Sequence, residues 1–340
     1  MTVKLLTRRT FLQTGAAVLT ALAPIQTRRK SIMTINGLVP STALGKTLVH
    51  EHFLVDFIGA DKTTADRWNR EDVIERILPL LEEVKRFGVK TMFDCTPAFL
   101  GRDVTLLTML ARRSGLTIIT NTGLYGAVQN KYLPPYAFTE TAEELATRWI
   151  REYNIGIDGT GIKPGFIKIG VDGPTLSEMH KKLIKAAALT HLQTGLTICS
   201  HTGKAAPAFE QLEILKSNGV APQAFVWVHA QNEDNIELHL KAANMGCWVS
   251  LDGIGWGEAN RYSNIIGRLK NEGFLNRVLI SHDLGWYKPG EVNGGEIKGY
   301  TKMFTDLLPL LEEQGITFKD VKQLLVINPA NAFAIHGRKI

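Results

Sequence analysis

From residue 44 onward the chain repeats one unit eight times: a short run rich in β-branched and apolar residues, then a longer stretch whose apolar residues recur three or four apart. The short runs cover 47–55, 91–95, 117–122, 166–171, 197–201, 225–229, 247–251 and 278–283. The helical signal is carried, for example, by Val73, Ile77, Leu81, Val84 and Phe87, or by Leu183, Ala187 and His191. Gly88, Gly195, Gly219 and Gly273 stand near the expected helix ends. Pro79 interrupts the first of these helices and is expected to kink it. At 340 residues two domains are possible, but no Pro/Gly/Ser-rich linker or composition break separates the units. The alternation therefore predicts α/β architecture as a single (β/α)8 TIM barrel, for which about 250 residues suffice.

Charge narrows the classes of partner. The formal net charge is +6, but residues 1–30 carry six of the 39 lysines and arginines and no acid, which leaves 33 bases against 33 acids in the body. A body of zero net charge, without a basic stripe or a nucleic-acid motif, gives no electrostatic reason to bind DNA or RNA. The leader itself has a pattern. Arg8-Arg9-Thr10-Phe11-Leu12 precedes the apolar run 15–23, as in twin-arginine export signals, and that run is too short to cross a bilayer. Residues 1 to about 30 are thus expected to be a signal segment and 31–340 the folded domain, periplasmic or otherwise exported and without stable membrane insertion. No clean small-x-small cleavage site appears, because Pro24 follows Ala23. Cys95, Cys199 and Cys247 are odd in number and lie in apolar strand-like runs, so they are expected to be reduced core thiols.

In a barrel of this kind the loops at the C-terminal ends of the strands build the active-site mouth. The first run contains Val49-His50-Glu51-His52. Residues two apart on a strand share a face, so both imidazoles can enter the barrel and ligate one ion while Glu51 faces the helices. Run five ends at His201, run six at His229 and run eight at Asp283. Four histidines and an aspartate at strand ends point to a metal centre. Run four places Lys168 in Gly165-Phe166-Ile167-Lys168-Ile169-Gly170. An ammonium group has no free lone pair and would repel a cation. Burial favours the neutral amine, which can add CO2 to give a carbamate, an anion with two oxygens able to bridge two metal ions.

In this order, and on strands one, four, five, six and eight, His50-x-His52, Lys168, His201, His229 and Asp283 resemble the binuclear site of the phosphotriesterase family within the amidohydrolase superfamily. The resemblance covers roughly residues 35 to 335. It extends to Gly101-Arg102-Asp103-Val104, to Thr122-Gly123-Leu124-Tyr125 and to Asn328-Pro329-Ala330. It implies that His50, His52 and Asp283 hold an inner ion and His201 and His229 an outer one, with carboxylated Lys168 and a hydroxide bridging them. Nitrogen and hard oxygen ligands suit Zn2+, with Mn2+, Co2+ or Fe2+ compatible. Two divalent ions less a carbamate, an aspartate and a hydroxide leave about one positive charge to favour an anionic transition state.

The expected activity is a metal-dependent hydrolase in which the bridging hydroxide attacks a carboxylic ester or lactone and Asp283 accepts its proton. Tyr125 matches a tyrosine near the metals of lactonase-like members, which implies a contact to substrate or bridging water. At the strand-seven position, Leu251-Asp252-Gly253, this chain has Gly253 where paraoxon-hydrolysing members carry histidine and many lactonases arginine. Phosphotriester hydrolysis therefore stays open as an alternative activity, as does a metal-containing binding protein without turnover. A small-molecule ester or lactone is the expected partner, and a homodimer is an assembly left open. Trp256, Trp286 and Tyr287 could line an apolar pocket, and Asp252 could support the ligands. His180, His191, His239 and His336 are expected in surface or helix-packing roles, and His282 should face the helix layer.

Overall fold

The computed structural model describes residues 30–340, so the expected export signal lies outside the described residues apart from Lys30. Eight staves of parallel strand build the body: β3 (Lys46–Leu54), β4 (Val89–Asp94), β5 with β6 (Thr117–Ile119 and Asn121–Thr122), β7 (Phe166–Gly170), β8 (Ile198–His201), β9 (Phe225–Val228), β10 (Trp248–Leu251), and β11 with β12 (Val278–Ile280 and Gly285–Tyr287). Stave three pairs with β4 through β5 and with β7 through β6, while stave eight pairs with β10 through β11 and with β3 through β12. Two backbone hydrogen bonds reinforce the last seam, Asp283 N–H to His50 O and His52 N–H to Leu284 O, both 2.9 Å. The ring is thereby closed, as the sequence alternation predicts.

The inside of the ring is a packed layer with one side chain from every stave: Val49, Phe93, Ile119, Phe166, Cys199, Val226, Trp248 and Leu279 belong to one buried cluster. β1 (Ser31–Thr34) and β2 (Gly37–Pro40), an antiparallel hairpin that the sequence reading does not anticipate, add Ile32 to that cluster. Phe333 joins it with its ring 4.4 Å from that of Phe93. Cutting Phe93 back to alanine in such a layer costs about 3–5 kcal/mol.

The helices α1 (Arg70–Lys85), α2 (Val104–Ser114), α3 (Pro135–Thr139), α4 (Ala142–Ile155), α5 (Glu178–Thr194), α6 (Ala205–Ser217), α7 (Ile236–Met245) and α8 (Ala259–Asn271) follow the strands in chain order. α1 continues as a single helix through Pro79, and its buried stripe is Val73, Ile74, Ile77, Leu81 and Val84. Asp103 caps α2 by accepting the Leu106 N–H, and Gly115 and Gly195 close α2 and α5 in the left-handed conformation. The three cysteines are buried and free, as expected.

Two ligand positions depart from the strand reading. The ladder of stave eight stops at Ile280, and Asp283 sits in left-handed backbone at φ 56° between β11 and β12. His229 likewise follows the end of β9 at φ 60°. The expected strands 278–283 and 225–229 are therefore shorter, and these two side chains reach the barrel axis from αL turns. Non-glycine residues adopt this region at a cost of roughly 1 kcal/mol and are held there by their surroundings.

Candidate metal centre

All six expected ligands border one cavity of about 80 Å³ at the C-terminal ends of the strands, walled by Val55, Phe57, Leu100, Tyr125 and Trp286. β3 contributes His50 and His52, whose ring centres are 5.4 Å apart, and strand alternation turns Glu51 away from the axis as expected. Nε2 of His52 lies 3.0 Å and Nε2 of His50 3.4 Å from Asp283 Oδ1. These three offer ligand atoms within 4.8 Å of one another, a group that could hold a metal ion. The His201 and His229 rings are 4.5 Å apart, and His229 is 5.0 Å from His50. Lys168 is 2% exposed, with its Nζ 5.9 Å from the Tyr125 ring centre.

The hydrogen bonds leave the right nitrogens bare. Asp252 Oδ2 accepts from His50 Nδ1 at 3.2 Å and Asp252 Oδ1 from His229 Nδ1 at 2.7 Å, so Nε2 of both rings is free to ligate. Nδ1 of His52 donates to Thr96 Oγ1 at 2.7 Å. Asp252 thus does more than the sequence suggests, orienting two of the expected ligands from two different strands, and Thr96 is a partner that sequence reasoning missed. Its only signal is its place at the end of strand two, beside Cys95 and Pro97. Burial, followed by the Lys168 charge, pushes His50 down to about 4 and His52 to about 3. Burial also pushes His201 well below the usual range. The three imidazoles are neutral near pH 7 and able to bind a cation. Burial opposes a charge on His229 too, but Asp252 outweighs it and raises that group. Burial raises the Asp283 carboxyl.

Gly123 shows why a Gly-Leu-Tyr run belongs beside Lys168. Its φ is +123°, and a Cβ there would collide with the Lys168 carbonyl oxygen. Only glycine lets the chain press onto β7 and lay Tyr125 against Gly170 and His201. Tyr125 is buried, which pushes its phenol well above 10, and its hydroxyl has no hydrogen-bond partner among the described residues. Trp286 reaches the cavity with its ring 5.9 Å from His52. Tyr287, next along β12, packs into the helix-side core and does not line the cavity. Trp256 is half exposed and outside the cavity lining, but its indole N–H donates to the Asp283 carbonyl at 2.9 Å. The space a side chain at Gly253 would need is taken by Gln231 Nε2 and the Tyr262 hydroxyl, 2.5 and 2.9 Å from a built Cβ.

His180, His191 and His239 are buried in helix packing and not at the surface. His191 Nδ1 donates to Leu196 O, and His239 stacks on Trp227. His282 is fully buried beside Glu51 and Phe304, on the helix side as expected. A larger cavity of about 570 Å³, bordered by Arg102, Tyr136, Arg148 and Glu152, lies outside the barrel, and none of the six ligands touches it.

A TIM barrel with this constellation at its mouth defines a metal-dependent hydrolase of the amidohydrolase type. The phosphotriesterase family model matches residues 30–333, and the chain belongs to that family. It is 31% identical over 294 residues to the phosphotriesterase homology protein of Escherichia coli, covering 85% of this chain and 98% of that one. It is 28% identical to an aryldialkylphosphatase of Saccharolobus solfataricus, over 87% of this chain and 97% of the relative. An N-acetyltaurine hydrolase of Mus musculus is 26% identical, over 88% and 96%.

Proposed function

We propose that the protein hydrolyses an uncharged carboxylic ester or lactone, using two divalent cations held by His50, His52, Asp283, His201, His229 and carboxylated Lys168. The observation that carries this reading is the convergence of all six side chains on one small cavity at the strand ends. Their chemistry fits the group. Three imidazoles present neutral nitrogens, a carboxylate adds hard oxygen, and a lysine among them is compatible with cations only as an anion such as its carbamate. Such a donor set suits Zn2+. When bound, the ions would polarise the carbonyl of the substrate and lower the pKa of water to near neutrality.

The chain's own groups do the rest. Asp283, within 3.0 Å of His52 and open at the cavity, takes the proton released in the attack and returns it to the leaving group or solvent. Tyr125 keeps its phenolic proton and offers it to a substrate oxygen. Val55, Phe57, Leu100 and Trp286 exclude water from the acyl part. Among the described residues, Lys168 is the one ammonium or guanidinium bordering the cavity. Once carboxylated it leaves, among the described residues, no side-chain cation at the cavity to pair with a sulfonate or carboxylate tail remote from the metals, which favours an uncharged substrate over one like that of the N-acetyltaurine hydrolases.

Phosphotriester hydrolysis is a second reading, favoured by the aryldialkylphosphatase relative. Steady-state kinetics on lactones, aryl esters, a phosphotriester and N-acetyltaurine, with chelator-treated protein as control, decide among them. The lactones or aryl esters should show the highest kcat/KM. Higher kcat/KM on N-acetyltaurine would overturn the substrate assignment, and turnover that survives complete metal removal would overturn the whole reading. We further propose export of the chain through the twin-arginine route, on the strength of Arg8, Arg9 and the apolar run after them.

A further inference from the structure

Asp283 is the ligand whose backbone conformation most needs an explanation: a non-glycine residue at φ 56°, bracketed by two short strands. Every backbone N–H around it is fixed. Its own N–H donates to His50 O. The N–H groups on either side go to the two oxygens of one carboxylate: His282 N to Glu51 Oε1 at 3.0 Å and Leu284 N to Glu51 Oε2 at 3.1 Å. Glu51 Oε1 also accepts from Ser281 Oγ at 2.8 Å and from His282 Nδ1 at 2.8 Å. His282 Nε2 in turn accepts the Met303 N–H at 3.0 Å, which places the ring proton on Nδ1 and aims it at the glutamate. Glu51 is fully buried and, among the described residues, pairs with no lysine or arginine. Four donors from the segment 281–284 are what solvate it.

We propose that Glu51 is a positioning residue that clamps the 281–284 turn and thereby holds the Asp283 carboxylate at the inner metal position. The triplet His50-Glu51-His52 then governs all three side chains of the inner site. Its outer members ligate directly from the barrel face of β3, and its middle member, on the opposite face, reaches across the seam to set the third ligand. A carboxylate is required, because all four partners are donors. In Glu51→Gln, one face of the side chain becomes N–H and opposes at least the Leu284 N–H, leaving a buried donor without an acceptor.

The inference rests on the reading of Asp283 as a metal ligand, and the experiment separates the two. Wild type, Glu51→Gln and His282→Ala are titrated with Co2+ while the visible absorption spectrum and the affinity of each site are followed, alongside the thermal midpoint. His282→Ala keeps three of the four donors and serves if Glu51→Gln does not fold. Both variants are expected to bind the inner ion about tenfold or more weakly, the range for losing a group that orients a ligand. The inner-site spectrum should change, the outer-site affinity should stay as in wild type, and kcat should fall with KM nearly unchanged. A lowered thermal midpoint with the wild-type affinity and spectrum overturns the clamp and leaves Glu51 a merely structural acid. Wild type that binds no Co2+ instead overturns the metal-centre reading itself.

Discussion

The Asp252 carboxylate grips His229 twice, accepting its backbone N–H at 3.0 Å and its ring Nδ1–H at 2.7 Å. Its other oxygen takes the Nδ1–H of His50, so a single residue fixes the tautomer of one cavity histidine from each of two strands. In Asp252→Asn the amide N–H2 must face one of these donors. Metal affinity is expected to fall roughly 10–100-fold, with secondary structure kept. Equilibrium dialysis against a graded chelator measures this, and unchanged affinity would refute the double role of Asp252.

Lys168 gives the most specific chemical test. If its carbamate bridges the ions, Lys168→Ala loses metal and at least about 100-fold in rate. A small carboxylate such as acetate or propionate should enter the space left behind and restore part of the activity. Lys168→Arg should resist rescue, because guanidinium fills that space and stays charged. Full metal content and turnover in Lys168→Ala would return this residue to an ordinary barrel position.

Asp94, beneath the His52–Thr96 pair, supplies a pH test. Burial raises its carboxyl to about 7, well above the 3.8 of an exposed aspartate. A raised acid binds its proton more tightly folded than unfolded, so its contribution to stability is intact below about pH 4 and is lost as pH climbs to about 7. Asp94→Asn has nothing to ionise there. Denaturant unfolding at several pH values should show the variant gaining on wild type between about pH 4 and pH 7. A constant difference across that range would contradict the raised value.

At Gly253 a side chain fits only if Gln231 Nε2 and the Tyr262 hydroxyl give way. Gly253→Ala should cost about 1–3 kcal/mol by overpacking against Gln231 and Tyr262. Adding Tyr262→Phe frees space, and the double variant should be less destabilised than the sum of its parts by at least about 0.5 kcal/mol. Strict additivity in thermal or chemical unfolding would show that the two positions do not compete.

Export is tested in cells. Replacing Arg8 and Arg9 by lysine should retain the protein inside, and fractionation that finds the native chain wholly cytoplasmic would refute the signal.

Much of the barrel was legible because its two periodicities are local: a strand betrays itself within five residues and a helix within eleven. The residues that gather at the cavity were legible for a related reason, as each is a polar residue within or at the end of an apolar run. What the sequence hid depends on the ring being closed. That Asp252 serves His50 and His229 at once follows from the placement of β10 beside β9 and across from β3. The left-handed turns at Asp283 and His229 are marked only weakly: aspartate and histidine enter this region more readily than other non-glycine residues, but both also occur throughout ordinary strand ends. Tyr287 looked equivalent to Trp286, but β12 pairs Tyr287 with Leu54, and alternation along that strand sends the two rings to opposite sides. The 31–40 hairpin was missed because its strands are only four residues each and lie before the repeating units.

The seam between the first and last staves has a consequence for how the protein is made. His50 and Ser281, bonded across it, are 231 residues apart along the chain. During synthesis the inner pair of histidines therefore emerges long before its aspartate, and the nascent chain has no complete place to capture a cation until the final stave has left the ribosome. Loading and ring closure become one late event, and a message truncated before codon 283 yields a product that can acquire neither.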